Sequence, residues 1–472
     1  MSAAISTAMD AVGGRIEHLL GARTARGKFH EPDYWLITIL LTLVMFGTVM
    51  VFSASFATSV QADGGTGYSY LMKQVLWVAI GLVGMVVAFS VDYRTWRRFS
   101  LPGIIAVVGL LAIVAVIPGS HGAAAFGAKR WIPLGPLTFQ PSEVAKPLLI
   151  LYLADWLGSK GAKIRHWSHG LLPFSIVLGT LIGLVMLQPD LGTSALLAAI
   201  GVGMFLVAGA DLLQLGMLMS AGMMAFAVLA LGASYRRARI LIFLNPNTDL
   251  RNLGWQLAQA RLALGSGGIL GLGLGASRQK FSWLPAASTD AIFAVIGEEL
   301  GLIGCALVLL LFLALAWRGY RIAKRAPDTF GALVAVGIVT WMIFQAAINI
   351  GGITTTIPFT GVPLPFISYG GTALAVSLTA MGILLNISRQ TLDRVPVPAA
   401  SPARPAGEAR HPARPRRVPR PRPGREFTAP RLIRPTGHRS NATAQLDHDA
   451  WAGTSFGRAR GRRPPGGRQH WE

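Results

Sequence analysis

The 472-residue chain has one cysteine, Cys305, so no internal disulfide can form and cysteine content says nothing about redox compartment. Charge is scarce at 14% of residues, and mean hydropathy is +0.50, which excludes an ordinary soluble domain. No His/Cys spacing suggests zinc, and no Gly-x-Ser-x-Gly elbow suggests a serine hydrolase. The glycines of GSGGILGLGLG (265–275) neither follow a strand into a helix nor end in a P-loop Lys-Ser/Thr, so a nucleotide cofactor is not expected. They suit a loop or re-entrant segment that packs closely against its neighbours. A cleavable signal is excluded as well, because the first apolar run starts at residue 34 and outlasts an h-region.

What the chain does have is long apolar runs. Spans are predicted near 34–55, 74–92, 100–118, 142–158, 170–188, 190–209, 211–232, 290–316, 329–351 and 366–387, about ten in all. The runs are continuous and rich in Leu, Ala and Gly, whereas barrel strands alternate over about ten residues, so the fold class is an all-α polytopic membrane protein. Three regions follow: a cytoplasmic N-terminal segment at 1–33, a transmembrane body at 34–390 with a large external loop at 233–289 between the seventh and eighth spans, and a tail at 391–472. The tail (PARPRRVPRPRPGR, GRARGRRPPGGR) cannot bury enough apolar surface to fold and is expected to be disordered. It supplies much of the +22 net charge, and attraction to anionic headgroups is its simplest role. Nucleic-acid binding is not expected, since no recognition module accompanies the basic run.

Arg and Lys in short loops tend to stay cytoplasmic. The N-terminal segment and the hairpins around Arg94, Lys160 and Arg318 are basic, which places both termini in the cytoplasm. Two external loops break the pattern. One, 119–141, carries Lys129 and Arg130; the other, 233–289, carries Arg236, Arg237, Arg239, Arg251, Arg261, Arg278 and Lys280. Long loops tolerate such charge, but the same cations suit an anionic group at the outer leaflet.

Asp290 follows Ser288 and Thr289 at the head of an apolar run, which fits either a helix cap or a functional carboxylate beside a cationic loop. Glu298 lies about 12 Å farther along the same helix at ~1.5 Å per residue, too far for a carboxylate pair. Glu298 and Glu299 are therefore expected to serve structure. Lys146 falls inside the fourth span, where a cation needs a partner, and Glu143 stands three residues away. Asp190 in QPDLG is expected to cap the sixth helix.

Several stretches together resemble the SEDS family (FtsW, RodA and SpoVE proteins): GAKRWIPLGPLTFQPSEVAK (127–146), QPDLGTS (188–194), RRARILIFLNP (236–246), WQLAQARLALGSGGILGLGLGASRQK (255–280), TDAIFAVIGEELG (289–301) and GVPLPFISYGG (361–371). The resemblance covers about 34–390 and implies the SEDS-type fold. It also implies a peptidoglycan glycosyltransferase that polymerises lipid II at the outer face of the bacterial cytoplasmic membrane. The family's essential aspartate, in a Pro-Glu-x-His-Thr-Asp-like motif, maps onto Asp290; here Ala286 and Ser288 replace the usual Glu and His.

On that resemblance Asp290 is the catalytic general base, or a ligand for a divalent cation such as Mg or Mn. Arg130, Lys146, Arg236 and Lys280 would attend the departing pyrophosphate, with a solvated or lipid-headgroup role equally open to Lys129 and Lys280. Gln256 and Ser368 would bind sugar or phosphate oxygens, or else satisfy neighbouring backbone. Glu143 and Glu299 would be structural or ion-pairing. The implied partners are lipid II, undecaprenyl-pyrophosphate-linked glycan, a class B penicillin-binding protein transpeptidase and other divisome proteins. GVPLPFISYGGTAL and the Arg-rich tail look more like FtsW, hence a division septum, than like elongation-type RodA. A lipid II flippase and a non-catalytic divisome scaffold are the competing readings. A flippase should continue intramembrane charge inward, and a scaffold would not need Asp290.

Overall fold

The computed structural model describes residues 31–62, 67–116, 130–134, 137–232, 237, 241–245, 253–281 and 283–391. Most of the N-terminal segment, Lys129, Arg236 and the tail from 392 onward lie outside the described residues, and with them the expectations placed there.

The order is α1 (Tyr34–Ala62), α2 (Ser69–Ser90), α3 (Ser100–Val116), β1 (Ile132–Leu134), β2 (Leu137–Phe139), α4 (Pro141–Lys160), α5 (Leu172–Leu187), α6 (Leu191–Val207), α7 (Leu212–Leu231), α8 (Leu253–Gly267), α9 (Ile292–Arg325), α10 (Thr329–Ile353) and α11 (Gly371–Ser388). Each predicted apolar segment coincides with a helix. Seven helices among the described residues are long and apolar enough to cross a membrane, and the helices at Leu191–Val207 and Leu212–Ala225 are apolar but shorter. This is a multi-pass membrane protein, as hydrocarbon requires of a chain that must satisfy its own backbone.

Local sequence sets the helix ends. Pro141 opens α4, where a missing N–H costs nothing. Asp190 caps α6 through Thr193 N at 3.0 Å, and Asp328 caps α10 through Gly331 N at 2.7 Å. The apolar windows of α10 and α11 are 72% and 78% buried against 17% for α2, so α10 and α11 form the centre around which the others pack.

Three features depart from the sequence expectation. A two-stranded antiparallel hairpin, Ile132 opposite Phe139, stands in the loop before α4. The external loop 233–289 is not loop throughout, since its residues 253–267 form α8, which places Gln256, Gln259, Ala260 and Ala263 in buried positions. Finally, α9 is broken at Gly301 (φ 65°, ψ −160°).

That break has a cause outside the helix. The glycine-rich segment after α8 lies along it, with Leu272 N donating to Glu298 O at 2.9 Å, Gly273 N to Glu299 O at 3.0 Å, and Leu302 N to Gly268 O at 2.9 Å. A Cβ on Gly271 would collide with Glu299 O, and one on Gly301 with Gly271 N, so the two backbones meet only because both residues are glycine.

Candidate functional site

The site is built around the turn that precedes α9. Asp290 is not the cap of that helix: the N-cap position belongs to Ala291, whose side chain makes no capping bond, and α9 begins at Ile292. Ser288, Thr289 and Asp290 are half-buried. Each of their backbone carbonyls accepts from a different donor. Tyr369 N gives to Ser288 O at 2.9 Å, Ser368 Oγ to Thr289 O at 2.6 Å, and Asn349 Nδ2 to Asp290 O at 2.8 Å. Two of these donors belong to the 361–371 motif and the third to α10.

The same amide, Asn349 Nδ2, also gives to Val362 O at 2.8 Å, and Leu364 N gives to Ser368 Oγ at 2.8 Å. Proline-rich 361–369 is thereby fixed to α10 and to the Asp290 turn at once. On α8, Gln256 Nε2 holds Pro285 O at 3.2 Å and Trp255 Nε1 holds Trp283 O at 3.0 Å. The segment leading into the turn is thus tied to α8 and the turn itself to α10 and the 361–371 motif. The Asp290 carboxylate lies against Gly361, with Oδ2 3.0 Å from where a Cβ there would stand.

Four residues before Asn349 and hence on the same face of α10, Gln345 repeats the device, with Nε2 on Pro363 O at 2.9 Å. Its Oε1 accepts from Trp341 Nε1 at 2.7 Å and from Lys146 Nζ at 3.2 Å. Lys146 is almost fully buried, paired with Glu143 at 2.6 Å and set over the Trp341 ring at 4.8 Å. The ion pair lacks hydrogen-bond alignment at Glu143 Oε2. A small cavity beside this network is lined by Gln345, Pro363, Leu364, Ser368, Gly370 and Ser377.

Other expected residues sit elsewhere. Arg130 lays its guanidinium on the QPD turn, with Nε on Gln188 O at 2.9 Å, a second donor on Pro189 O and Asp190 Oδ2 at 3.7 Å. Arg236 lies outside the described residues. Lys280 corrects the expectation of a substrate-facing cation. It is buried, and its ammonium meets Glu299 Oε1 at 2.8 Å, Ser53 Oγ at 3.0 Å and Gly275 O at 2.7 Å. Three donors meet three acceptors, which leaves none for a phosphate. Glu298, one residue earlier, accepts from Ser277 Oγ at 2.5 Å and Arg278 N at 2.9 Å. Arg237, Arg261 and Arg278 are the exposed cations of the 233–289 region among the described residues.

The structure thus brings Asp290, Gln256 and Ser368 into one clamp and links Lys146 to it through Gln345. Gln256 and Ser368 spend these bonds on the backbone of the turn. Sequence reading missed Gln345 and Asn349, although two amides four apart within an apolar run, QAAIN, are the signal that could have shown them. Ser53 gave no such signal.

Comparison with known proteins completes the assignment. Residues 34–393 match the model of the FtsW/RodA/SpoVE family, described as cell cycle proteins. The stage V sporulation protein E of Bacillus subtilis is 42% identical over 364 residues, covering 77% of this chain and 98% of that protein. The probable peptidoglycan glycosyltransferase FtsW of Trichlorobacter lovleyi is 42% identical over 364 residues, 76% of this chain and 94% of that one. Among solved structures, a chain of a peptidoglycan synthase complex solved for its coordination of polymerization and crosslinking superposes with TM-score 0.61 at 28% identity, covering 76% of this chain and 98% of that one. The rod shape determining protein RodA of Thermus thermophilus gives TM-score 0.57 at 26% identity, covering 77% and 98%. With a family match over its whole helical body and relatives at this identity, the chain belongs to the FtsW/RodA/SpoVE family.

Proposed function

We propose that this chain is a peptidoglycan glycosyltransferase that polymerises lipid II at the outer face of the bacterial cytoplasmic membrane, in the septal, FtsW-like role. The observation that carries the reading is the clamp on Asp290. Three successive carbonyls are held by three donors, so the carboxylate stands at a fixed place in a turn that it does not cap. A helix end needs no such arrangement, whereas proton transfer needs a base within hydrogen-bond reach of one hydroxyl. The relative named FtsW at 42% identity supports the division-type role over the RodA-like one, since the RodA structure is 26% identical.

In the reaction, the 4-hydroxyl of the acceptor sugar attacks the anomeric carbon of the polyprenyl-pyrophosphate-linked glycan. A new C–O bond forms with inversion. The old bond to pyrophosphate breaks with its electron pair leaving on the phosphate, and the acceptor proton passes to the Asp290 carboxylate. Exposed Arg261 and Arg278, in the segment leading to Asp290, supply positive charge where pyrophosphate charge grows. Among the described residues no three His, Cys, Asp or Glu side chains converge, so a divalent cation would be held by Asp290 and the substrate's own phosphate oxygens. Such an ion would supply charge neutralisation at the leaving group.

Orientation belongs to the same proposal: both termini lie in the cytoplasm, and a class B penicillin-binding protein is the partner that crosslinks the product. The test is to supply labelled lipid II to the purified chain with its cognate transpeptidase. A ladder of glycan strands is expected. Transfer of lipid II across proteoliposomes without a ladder would support the flippase reading instead, and neither activity with an active partner present would leave a scaffold.

A further inference from the structure

Asn349 is 3% exposed near the end of α10, within the otherwise apolar run INIGG. Its amide orientation is fixed by chemistry. The two atoms at 2.8 Å from one end are both carbonyl oxygens, of Asp290 and Val362, so that end must be the nitrogen. Oδ1 is therefore the other end, and it is buried with no hydrogen-bond partner among the described residues. An unmatched acceptor is a cost that an apolar side chain would not incur, so packing alone does not account for an amide at this position. What the amide provides is a bidentate donor that ties the carbonyl of Asp290 to that of Val362. Gly361, next to Val362, is the residue against which the Asp290 carboxylate rests.

From this geometry we infer that Asn349 is a positioning residue for the glycosyl transfer: through its Nδ2 it sets the backbone of Asp290 relative to the 361–362 turn, and so the place of the carboxylate. The inference rests on the reading of Asp290 as the general base. A positioning residue acts on the chemical step more than on binding. A misplacement of about 1 Å at a reacting group lowers turnover on the order of a hundredfold.

The experiment compares steady-state polymerisation of labelled lipid II by the full chain with its cognate transpeptidase, for wild type, Asn349→Ala, Asn349→Asp and Asp290→Asn. For Asn349→Ala, kcat is expected to fall about a hundredfold while KM for lipid II stays within about twofold. Asn349→Asp keeps the shape, and burial against two carbonyl oxygens favours its protonated carboxyl, which offers one donor in place of two. Its kcat should therefore fall less than that of Asn349→Ala, again with KM within about twofold. A merely structural role would lower the thermal unfolding midpoint without this graded loss of kcat measured well below it. Should Asn349→Ala fail to fold, the isosteric aspartate carries the test. Unchanged kcat in both variants, or a raised KM with unchanged kcat, overturns the inference. If Asp290→Asn is inactive while the Asn349 variants are normal, the positioning role alone fails; if Asp290→Asn polymerises normally, the base assignment itself has failed.

Discussion

Lys280 and Glu299 form an ion pair at 2.8 Å with side chains 3% and 0% exposed, one from the glycine-rich segment and the other from α9 just before its break. Ser53 of α1 completes it: its Oγ lies 2.7 and 2.8 Å from the two Glu299 oxygens, and with Lys280 on Oε1 its single proton serves Oε2. Charges this deep are tolerated because every ammonium proton and both carboxylate oxygens are matched. The pair is a rivet that joins α1, α9 and the segment leading into the Asp290 turn.

Removing one side of that rivet leaves the other charge buried alone. Lys280→Met or Glu299→Gln is expected to lose about 3–5 kcal/mol of stability, while the double variant recovers a large part of it. Thermal unfolding in nanodiscs, arranged as a double-mutant cycle, measures this directly. A Lys280→Met protein as stable as wild type would show that the pair does not hold the segment.

Gly361 has φ +74°, and a Cβ there would stand 3.0 Å from Asp290 Oδ2. Gly361→Ala should therefore cost roughly 1–2 kcal/mol in backbone strain. It should also displace the carboxylate and reduce polymerisation by about tenfold or more, since catalytic geometry is sensitive at this scale. Gly109→Ala is the control, because nothing lies within 4 Å of its Cβ position. Equal activity in the two variants would mean that the Gly361 contact is unimportant.

Ser368 Oγ both donates to Thr289 O and accepts from Leu364 N. Ser368→Ala strands the buried Leu364 N–H and the half-buried Thr289 carbonyl and is expected to destabilise by about 1–3 kcal/mol, with turnover reduced more than lipid II affinity. A variant whose only defect is a higher KM would instead make Ser368 a substrate contact. Separate determination of kcat and KM decides between the two.

How far the sequence could be read follows from the range over which each feature is determined. Continuous apolar runs located the helices, because in hydrocarbon the backbone has few alternatives. Asp190 before LGTS is a local cap, and Glu143 and Lys146 are three apart on one helix, so both are matters of spacing. Lys280 reads from the sequence as a loop cation facing substrate or headgroup because its true partners are remote: Glu299 lies 19 residues away and Ser53 227. The break at Gly301 was equally hidden, since its cause is the backbone of 268–273. The local pattern Ser288-Thr289-Asp290 fits a cap and a functional carboxylate alike, and only the structure shows that α9 starts two residues after Asp290. The donors from 349, 368 and 369, remote in sequence, show how the turn is held.

The most direct measurement is the polymerisation rate of Asp290→Asn beside wild type and Asp290→Ala, with protein that remains folded and bound to its transpeptidase. The carboxamide keeps the size of the side chain and removes its ability to take a proton. Loss of general-base catalysis predicts a fall in kcat of at least about 10²-fold in both variants, with lipid II binding retained. Glycan strands formed by Asp290→Asn at the wild-type rate would contradict the account and move the chemistry to another group.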